Sequence, residues 1–133
     1  MTASAETIAD LGQTYIHLAD GPDATPVPVG PDFWATIERR RELHDGRLMM
    51  MFRFNSTADW PHWEMHPAGD EIVCLLAGAL DLVLDDGTAQ RTVALRDDAT
   101  FVIPRGAWHR GIVHRPSRAL FITRGAGTQH RPL

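Results

Sequence analysis

Apolar and polar residues alternate along most of the chain from residue 47 onward. In residues 47–54 (RLMMMFRF), Leu48, Met50, Phe52 and Phe54 fall on one face, which is the period-two pattern of a half-buried strand. The same reasoning predicts further short strands over 79–85, 88–95, 100–104, 107–114 and 119–123. Many short strands separated by turns favour a closed antiparallel β-barrel or sandwich, because an open sheet leaves edges that pair with other chains.

The N-terminal third follows a different pattern. Residues 20–31 (DGPDATPVPVGP) are too rich in proline and glycine for a helix or a central strand, so they predict an extended surface arm. Asp32 can cap a helix over 33–43, which His44-Asp45-Gly46 would end. We therefore predict one domain, in which an arm and one short helix (1–46) pack on an all-β barrel (47–133).

Composition and charge limit the classes of function. With 133 residues, 44% apolar and 23% charged, the chain matches an ordinary soluble domain. A net charge of -4 argues against a nucleic-acid or anionic-membrane partner, and no apolar stretch approaches the length of a membrane span. The first 18 residues lack the pattern of a signal peptide. With a single cysteine, Cys74, these features lead us to expect a cytoplasmic protein.

The stretch WEMHPAGDEIVCLLAG (63–78) places acids and a histidine directly before an apolar run. In a strand, residues two apart point the same way and lie about 6.6 Å apart. Glu64 with His66, or His62 with Glu64, can therefore share one ion, whereas His62 with His66 would need a bend. A turn through 68–70 could bring Glu71 back beside His66. Two imidazoles and up to two carboxylates suit a divalent transition metal.

A fourth candidate ligand is His109, which follows the turn sequence Pro104-Arg105-Gly106. The plainer alternative is that these groups are ordinary polar residues at strand ends. The other histidines, at 17, 44, 114 and 130, are assigned to the surface. Four residues near the candidate ligands in sequence could shape a pocket for an aromatic or anionic substrate: Trp60, Trp108, Arg105 and Arg110.

These motifs resemble those of single-domain cupins. The first cupin motif runs His-x-His, three or four residues, Glu, six residues, Gly; here it is Glu64-Met-His66, four residues, Glu71, six residues, Gly78. The second motif runs Gly, five residues, Pro-x-Gly, two residues, His, three residues, Asn. Its counterparts here begin at Asp98 and end at Val113: Asp98, Pro104, Gly106, His109 and Val113. The resemblance implies a cupin-type antiparallel barrel, the double-stranded β-helix or jelly roll.

The resemblance also implies a metal site formed by Glu64, His66, Glu71 and His109. Because Glu64 replaces the leading histidine, a site with two carboxylates and two imidazoles is formally neutral around a divalent ion. The metal would be iron, manganese, nickel or zinc, and oxygen ligands tilt the choice toward manganese or iron. Alternatively, Glu64 swings away and serves as a general base beside a triad of two histidines and one carboxylate. His62 is the reserve ligand.

The strand after Glu71 is apolar on both faces. If Glu71, Val73 and Leu75 point inward, the equally apolar Ile72, Cys74 and Leu76 face outward. The helix, the arm or a second subunit must then cover them, and the family resemblance favours a homodimer.

Three classes of function remain open. They are a metal-dependent enzyme acting on a small organic molecule (dioxygenase, isomerase or decarboxylase type), a non-catalytic binding or sensor barrel, and a structural barrel with a vestigial site. The sequence identifies no catalytic residue and no organic cofactor. The expected partner is a small-molecule substrate or ligand.

Overall fold

The fold is built almost entirely from antiparallel strands. The computed structural model describes residues 8–133. Residues 1–7, which begin the predicted N-terminal unit (1–46) and the stretch without a signal-peptide pattern, lie outside the described residues. Nine strands form one sheet: β1 (Thr14–Leu18), β2 (Ala24–Pro28), β3 (Arg47–Phe54), β4 (His62–Met65), β5 (Glu71–Asp85), β6 (Gln90–Arg96), β7 (Thr100–Ile103), β8 (Trp108–Thr123) and β9 (Gln129–Pro132). Together with one short α-helix, this confirms the predicted all-β class.

The helix is shorter than predicted. Instead of running over 33–43, helix α1 covers Phe33–Thr36 and is followed by two single 3-10 turns, Ile37–Arg39 and Arg41–Leu43. The Asp32 side chain makes no cap hydrogen bond. The Thr36 hydroxyl donates to the Asp32 carbonyl oxygen at 2.9 Å, a local bond that weakens a helix at such a residue. The backbone of Thr36 accordingly leaves the helical region.

Residues 20–31 are extended but are not a free arm. They include β2, which pairs only with β1, and β1 pairs in turn with β3. Pro26 and Pro28 lie in β2 at the edge of the sheet, where a missing N–H donor is tolerated. The alternation of apolar and polar residues did not predict β1 or β9. The division at residue 46 stays a prediction.

Two long strands, β5 and β8, pass through both halves of the sheet. One half contains β1, β2, β3 and β7, and the other half contains β4, β6 and β9. The segments 107–114 and 119–123, predicted as separate strands, are parts of the single strand β8, which runs through Pro116. β5 pairs with β7 near its start, with β6 near its end, and with β8 along its length. Register shifts between Leu75 and Leu80 mark a bulged region, and bulges bend the strand that carries them.

Gly78 lies at the centre of this irregularity. Its φ of 115° belongs to the region that favours glycine. A Cβ atom there would lie 2.3 Å from Ser117 Oγ and 2.6 Å from Ser117 Cα. The Gly78 N–H donates to Asp97 Oδ1 at 2.6 Å, and the Ala79 N–H donates to Ser117 Oγ at 3.2 Å. Glycine therefore allows β5 and β8 to approach closely where β5 bends.

The core lies between the inner faces of the two halves. Val73 and Leu75, before the bend, and Leu80 and Leu82, after it, belong to one buried cluster and have no exposed surface. Glu71 lies on the inner face with Val73 and Leu75, as the alternation predicted. The inner face thus carries an acid at the end of its apolar stripe.

The outer face of one half remains apolar. The strand register aligns one residue from each of five strands into a continuous row: Val102, Ile72, Ile122, Met49 and Ile16. Val102 is 51% exposed and Ile72 is 36% exposed. Helix α1 does not cover this row, because Phe33 and Trp34 pack against the rings of Tyr15 and Phe52.

Among residues 8–133 there is no helix with the length and apolar character needed to cross a membrane.

The close approach at Gly78 yields a test. We expect Gly78→Ala to lower the free energy of unfolding by about 3 kcal/mol, measured by urea denaturation, because the methyl group adds a steric clash to an unfavourable φ. Gly87→Ala is the matched control, since its φ is 94° and nothing lies within 4 Å of its Cβ position. The control should cost about 1 kcal/mol. Equal losses in the two variants would mean that the clash with Ser117 is not significant.

Candidate metal centre

The fold brings the four predicted ligand residues together. Glu64 lies on β4, His66 directly follows β4, Glu71 begins β5, and His109 is the second residue of β8. Glu64 and His109 are direct partners across the β4–β8 ladder. His66, Glu71 and His109 are 5%, 4% and 1% exposed. The Glu64 side chain is 30% exposed and gives the cluster its contact with solvent.

The donor atoms of these residues lie within a few ångströms of one another. Glu71 Oε2 is 3.3 Å from His66 Nε2, and Glu71 Oε1 is 3.2 Å from His109 Nε2. Glu64 Oε2 is 3.7 Å from His66 Nε2. Glu64, His66 and His109 each offer a ligand atom within 4.8 Å of the others. Around a metal with bonds of about 2.1 Å, ligand atoms at right angles lie about 3 Å apart, so the spacing of Glu64, His66 and His109 is within reach of one ion.

Hydrogen bonds to the far side of each ring determine which nitrogen can bind a metal. The Thr128 hydroxyl donates to the Gly125 carbonyl oxygen at 2.8 Å, so its oxygen accepts from His66 Nδ1 at 2.8 Å. His109 Nδ1 donates to the Ala107 carbonyl oxygen at 3.1 Å. In each neutral ring the proton is therefore on Nδ1, and Nε2 keeps its lone pair.

The Glu71 carboxylate is held in the same way. The Thr123 hydroxyl donates to Glu71 Oε2, which orients the carboxylate between the two imidazoles. Thr123 and Thr128 were not predicted as part of the site. No motif identifies them, because both act through tertiary contacts with residues more than 50 positions away.

Three buried atoms at the centre of the cluster have no well-aligned hydrogen-bond partner among the described residues: His66 Nε2, Glu71 Oε1 and His109 Nε2. Glu71 Oε1 and Oε2 lie 3.2 and 3.3 Å from the Nε2 atoms of His109 and His66. A carboxylate oxygen and an unprotonated Nε2 are both acceptors, so no hydrogen bond joins them while the rings are neutral. Buried polar atoms left in this state are costly. A cation bound by all of them would remove that cost, so the donor set fits a divalent metal.

The ionisation of the cluster follows from its burial and pairing. Burial raises the pKa of Glu71, but contacts with His109 and His66 outweigh this effect and hold the pKa at about 2. Burial lowers the pKa of His109, whereas pairing with Glu71 raises it more strongly, so the net shift is upward. A protonated imidazole beside the carboxylate thus stabilises the metal-free centre, and a metal must displace that proton.

The remaining polar candidates lie elsewhere. The reserve ligand His62 is exposed, and its ring packs against that of His130 at a centroid distance of 5.3 Å. His17, assigned to the surface, is buried at 8% exposure because its Nε2 lies 2.7 Å from the Asp45 carbonyl oxygen. No local sequence pattern identifies this contact, because it joins residues 28 positions apart.

The aromatic and basic residues predicted near the site lie in three different places. Trp60 is buried, and its ring lies 6.2 Å from that of His109. Trp108 and Arg110 alternate with His109 along β8 and so point to the opposite face. On that opposite face, the Arg110 guanidinium lies 5.4 Å from the centroid of the Trp63 ring. Arg105 is exposed on the turn before β8.

The pairing of Glu71 predicts a defined pH dependence in metal-free protein. Its pKa falls from 4.5 to about 2 on folding, so its stabilisation is present above pH 4.5 and is lost as pH falls toward 2. The raised pKa of His109 means that its contribution is complete below pH 6.5 and is lost as pH rises through the folded value. The free energy of unfolding of the wild-type protein should therefore exceed that of Glu71→Gln most between pH 4.5 and 6.5, by about 3 kcal/mol.

Urea unfolding at a series of pH values, with a chelator present, measures this difference. Glu38→Gln, at an exposed site, is the control and should follow the wild-type curve. A constant difference between wild type and Glu71→Gln from pH 3 to pH 8 would contradict the ionic pairing.

Comparison with known proteins supports the fold. No protein-family model matches the sequence, and a sequence search of curated proteins finds no match. Among solved structures, hydroquinone 1,2-dioxygenase from Sphingomonas sp. TTNP3, crystallised with 4-hydroxybenzoate, is similar in fold with a TM-score of 0.51 and 18% identity over 60% of each chain. An oxalate oxidase bound to glycolate has a TM-score of 0.51 and 22% identity, covering 62% of this chain and 45% of the oxidase.

Oxalate decarboxylase of Bacillus subtilis, described with Mn(II) centres, has a TM-score of 0.54 and 13% identity over 65% of this chain and 24% of its own. The chain therefore spans less than two thirds of the length of each of these three enzymes. At this level of identity the likeness concerns the fold alone. With its antiparallel sheet, its single short helix and these structural neighbours, the chain has the cupin fold.

Proposed function

We propose that the protein binds one divalent transition metal through Glu64, His66, Glu71 and His109 and uses it to act on a small organic molecule. The observation that carries the proposal is the proximity of three buried ligand atoms that lack hydrogen-bond partners among the described residues: His66 Nε2, Glu71 Oε1 and His109 Nε2. Each imidazole is oriented by a bond from its Nδ1, as in metal sites where an outer partner positions the ligand. Metal-ligand candidates at both motifs weigh against a structural barrel with a vestigial site.

The ligand set favours manganese or iron. Two carboxylates and two neutral imidazoles balance the charge of a divalent ion, and oxygen-rich sites suit harder metals than zinc or nickel. Such an ion supplies Lewis acidity or redox chemistry when bound. The buried ligands His66, Glu71 and His109 would hold it.

Glu64 is the group best placed to meet the substrate. It is the most exposed member of the cluster, so one of its oxygens can bind the metal or accept a proton from a substrate that enters from solvent. The proposed chemistry is of the dioxygenase, isomerase or decarboxylase type. The fold neighbours named as a dioxygenase, an oxidase and a decarboxylase support it, and a non-catalytic small-molecule-binding barrel is the alternative.

We also propose a cytoplasmic homodimer. Cys74 is the only cysteine and is free, which suits a reducing compartment. The apolar row from Val102 to Ile16 spans five strands without a charged residue. Helix α1 packs elsewhere, so a second copy of the chain is the cover that we favour for the row.

The metal proposal predicts loss of metal from a double variant. Replacing His66 and His109 by alanine should remove the bound metal, measured as moles of metal per mole of untagged protein by elemental analysis. His44→Ala with His114→Ala is the control, because it removes two exposed imidazoles that lie outside the cluster. Unchanged metal content in the His66/His109 double variant would exclude this site.

Variants of Glu64 then separate its two possible roles. If it is a ligand, Glu64→Ala should weaken metal binding about tenfold or more, whereas Glu64→His should retain the metal and lower the pKa of metal-bound water. Unchanged affinity with lost substrate turnover would make Glu64 a base. If neither metal affinity nor substrate turnover changes in Glu64→Ala, the non-catalytic small-molecule-binding barrel becomes the better interpretation.

The dimer proposal predicts that Val102→Lys yields a monomer. The change places a charge at the exposed end of the apolar row, where burial against a second copy would be costly. Sedimentation velocity at micromolar concentration measures the outcome. Leu133→Lys is the control, since it charges an exposed apolar residue at the C-terminus and should leave the dimer intact. A monomeric wild-type protein would overturn the proposal.

A further inference from the structure

A cleft lies where the sheet is not closed. β6 and β7 each pair only with β5, so the two strands leave a gap between the halves of the sheet. A cavity of about 390 Å³ lies beside this gap, between the end of the β5–β6 hairpin and the turn that precedes β8. Its volume falls within the range of small-molecule sites. We define this cavity as the side cleft, and its wall includes Leu84, Asp86, Arg91, Pro104, Arg105 and Ala107.

The inner wall of the side cleft adjoins the candidate metal centre. On the inner face of the sheet, Arg91 pairs with Leu84, and Leu84 pairs with His109. Neighbouring strands lie about 4.8 Å apart, so Arg91 is about 10 Å from His109 along the backbone ladder. Ala107, on the opposite wall, accepts the hydrogen bond from His109 Nδ1. One layer of residues thus separates the cleft from a metal ligand.

The charges in the side cleft favour a single anion. Neither Arg91 nor Arg105 forms an ion pair within the described part of the chain, whereas Arg96, Arg124 and Arg131 do. The Arg91 guanidinium lies 5.8 Å from the centroid of the Phe101 ring, which orients it. Asp86 contributes one negative charge. Its Oδ1 accepts from the Thr88 and Ala89 N–H groups, so the side-chain charges in the cleft sum to about +1.

The turn that carries Arg105 is fixed in place. Its N–H donates to Asp70 Oδ1 at 2.8 Å, and the Gly106 N–H donates to the His66 carbonyl oxygen at 3.0 Å. The same turn therefore touches the backbone of one candidate ligand and the ring of another. A bound anion meets a preformed wall, which lowers the entropy cost of binding.

We propose that the side cleft binds the carboxylate of a small monocarboxylic acid between Arg91 and Arg105, with the acid's hydrocarbon part against Leu84, Pro104 and Ala107. Guanidinium groups pair with carboxylates through two parallel hydrogen bonds. The apolar wall residues match an aromatic or short aliphatic body. The proposal goes beyond the proposed function: the side cleft is a second binding site, separated from His109 by one layer of residues. Carboxylate binding itself does not require the metal.

Calorimetry with benzoate tests the proposal on metal-free protein, with benzamide as the uncharged probe of the same shape. We expect benzoate to bind and benzamide to fail. Arg91→Ala should weaken benzoate binding about tenfold, the loss typical of a charge-assisted bond. Arg118→Ala, which removes the same charge at an exposed site, should have no effect. Asp86→Asn should strengthen binding, because it removes the only negative charge in the cleft while keeping Oδ1.

The His66→Ala/His109→Ala double variant separates this proposal from the metal proposal. Benzoate should still bind to it, since the cleft arginines are untouched. Absence of benzoate binding in every form would overturn the cleft proposal and leave the metal site standing. Equal binding by Arg91→Ala and wild type would also overturn it. Retained benzoate binding together with unchanged metal content in this variant would instead count against the proposed function.

Discussion

The candidate site depends on the position of one carboxylate between two imidazoles. Glu71 is buried at the start of β5, with an oxygen 3.3 Å from His66 Nε2 and the other 3.2 Å from His109 Nε2. A carboxylate in such surroundings needs positive charge, from a proton on an imidazole or from a metal. The hydrogen bonds behind the rings leave both Nε2 atoms free to accept that metal. Charge balance thus links the stability of the fold to its chemistry.

The geometry of β5 makes this arrangement possible. The strand carries Glu71 at one end and Leu84, the cross-strand neighbour of His109, near the other. A straight strand of this length would separate the two residues by about 40 Å. The bulge at Gly78 lets the strand bend and brings both ends to the same side of the molecule. The close contact between Gly78 and Ser117 is therefore a condition for the site as well as for the core.

The turn before β8 connects the centre with its surroundings. Gly106 bonds to the backbone of His66, Ala107 orients the ring of His109, and Arg105 faces the side cleft. This short segment touches two candidate ligands and the proposed carboxylate site. An anion bound in the side cleft would therefore contact the same turn that positions both candidate ligands.

The sequence by itself determined the alternation in β3, β5, β6, β7 and β8 and the identity of the metal-ligand candidates. Period-two alternation identifies which face of β3 and β5 is buried, because adjacent side chains in a strand point to opposite sides. The motif spacing identified Glu64, His66, Glu71 and His109 as a group, and the tertiary structure brings them together.

Tertiary structure alone decided the features that depend on distant contacts. The helix ended after Thr36 because a local hydrogen bond competed with it, and residues 107–123 joined into one strand because β5 pairs along their length. Thr123 and Thr128 entered the site through bonds across 52 and 62 positions, and the side cleft arose from two strand edges that do not meet. Local sequence cannot predict these hydrogen bonds or the side cleft, because both depend on which distant parts of the chain come together after the bend at Gly78.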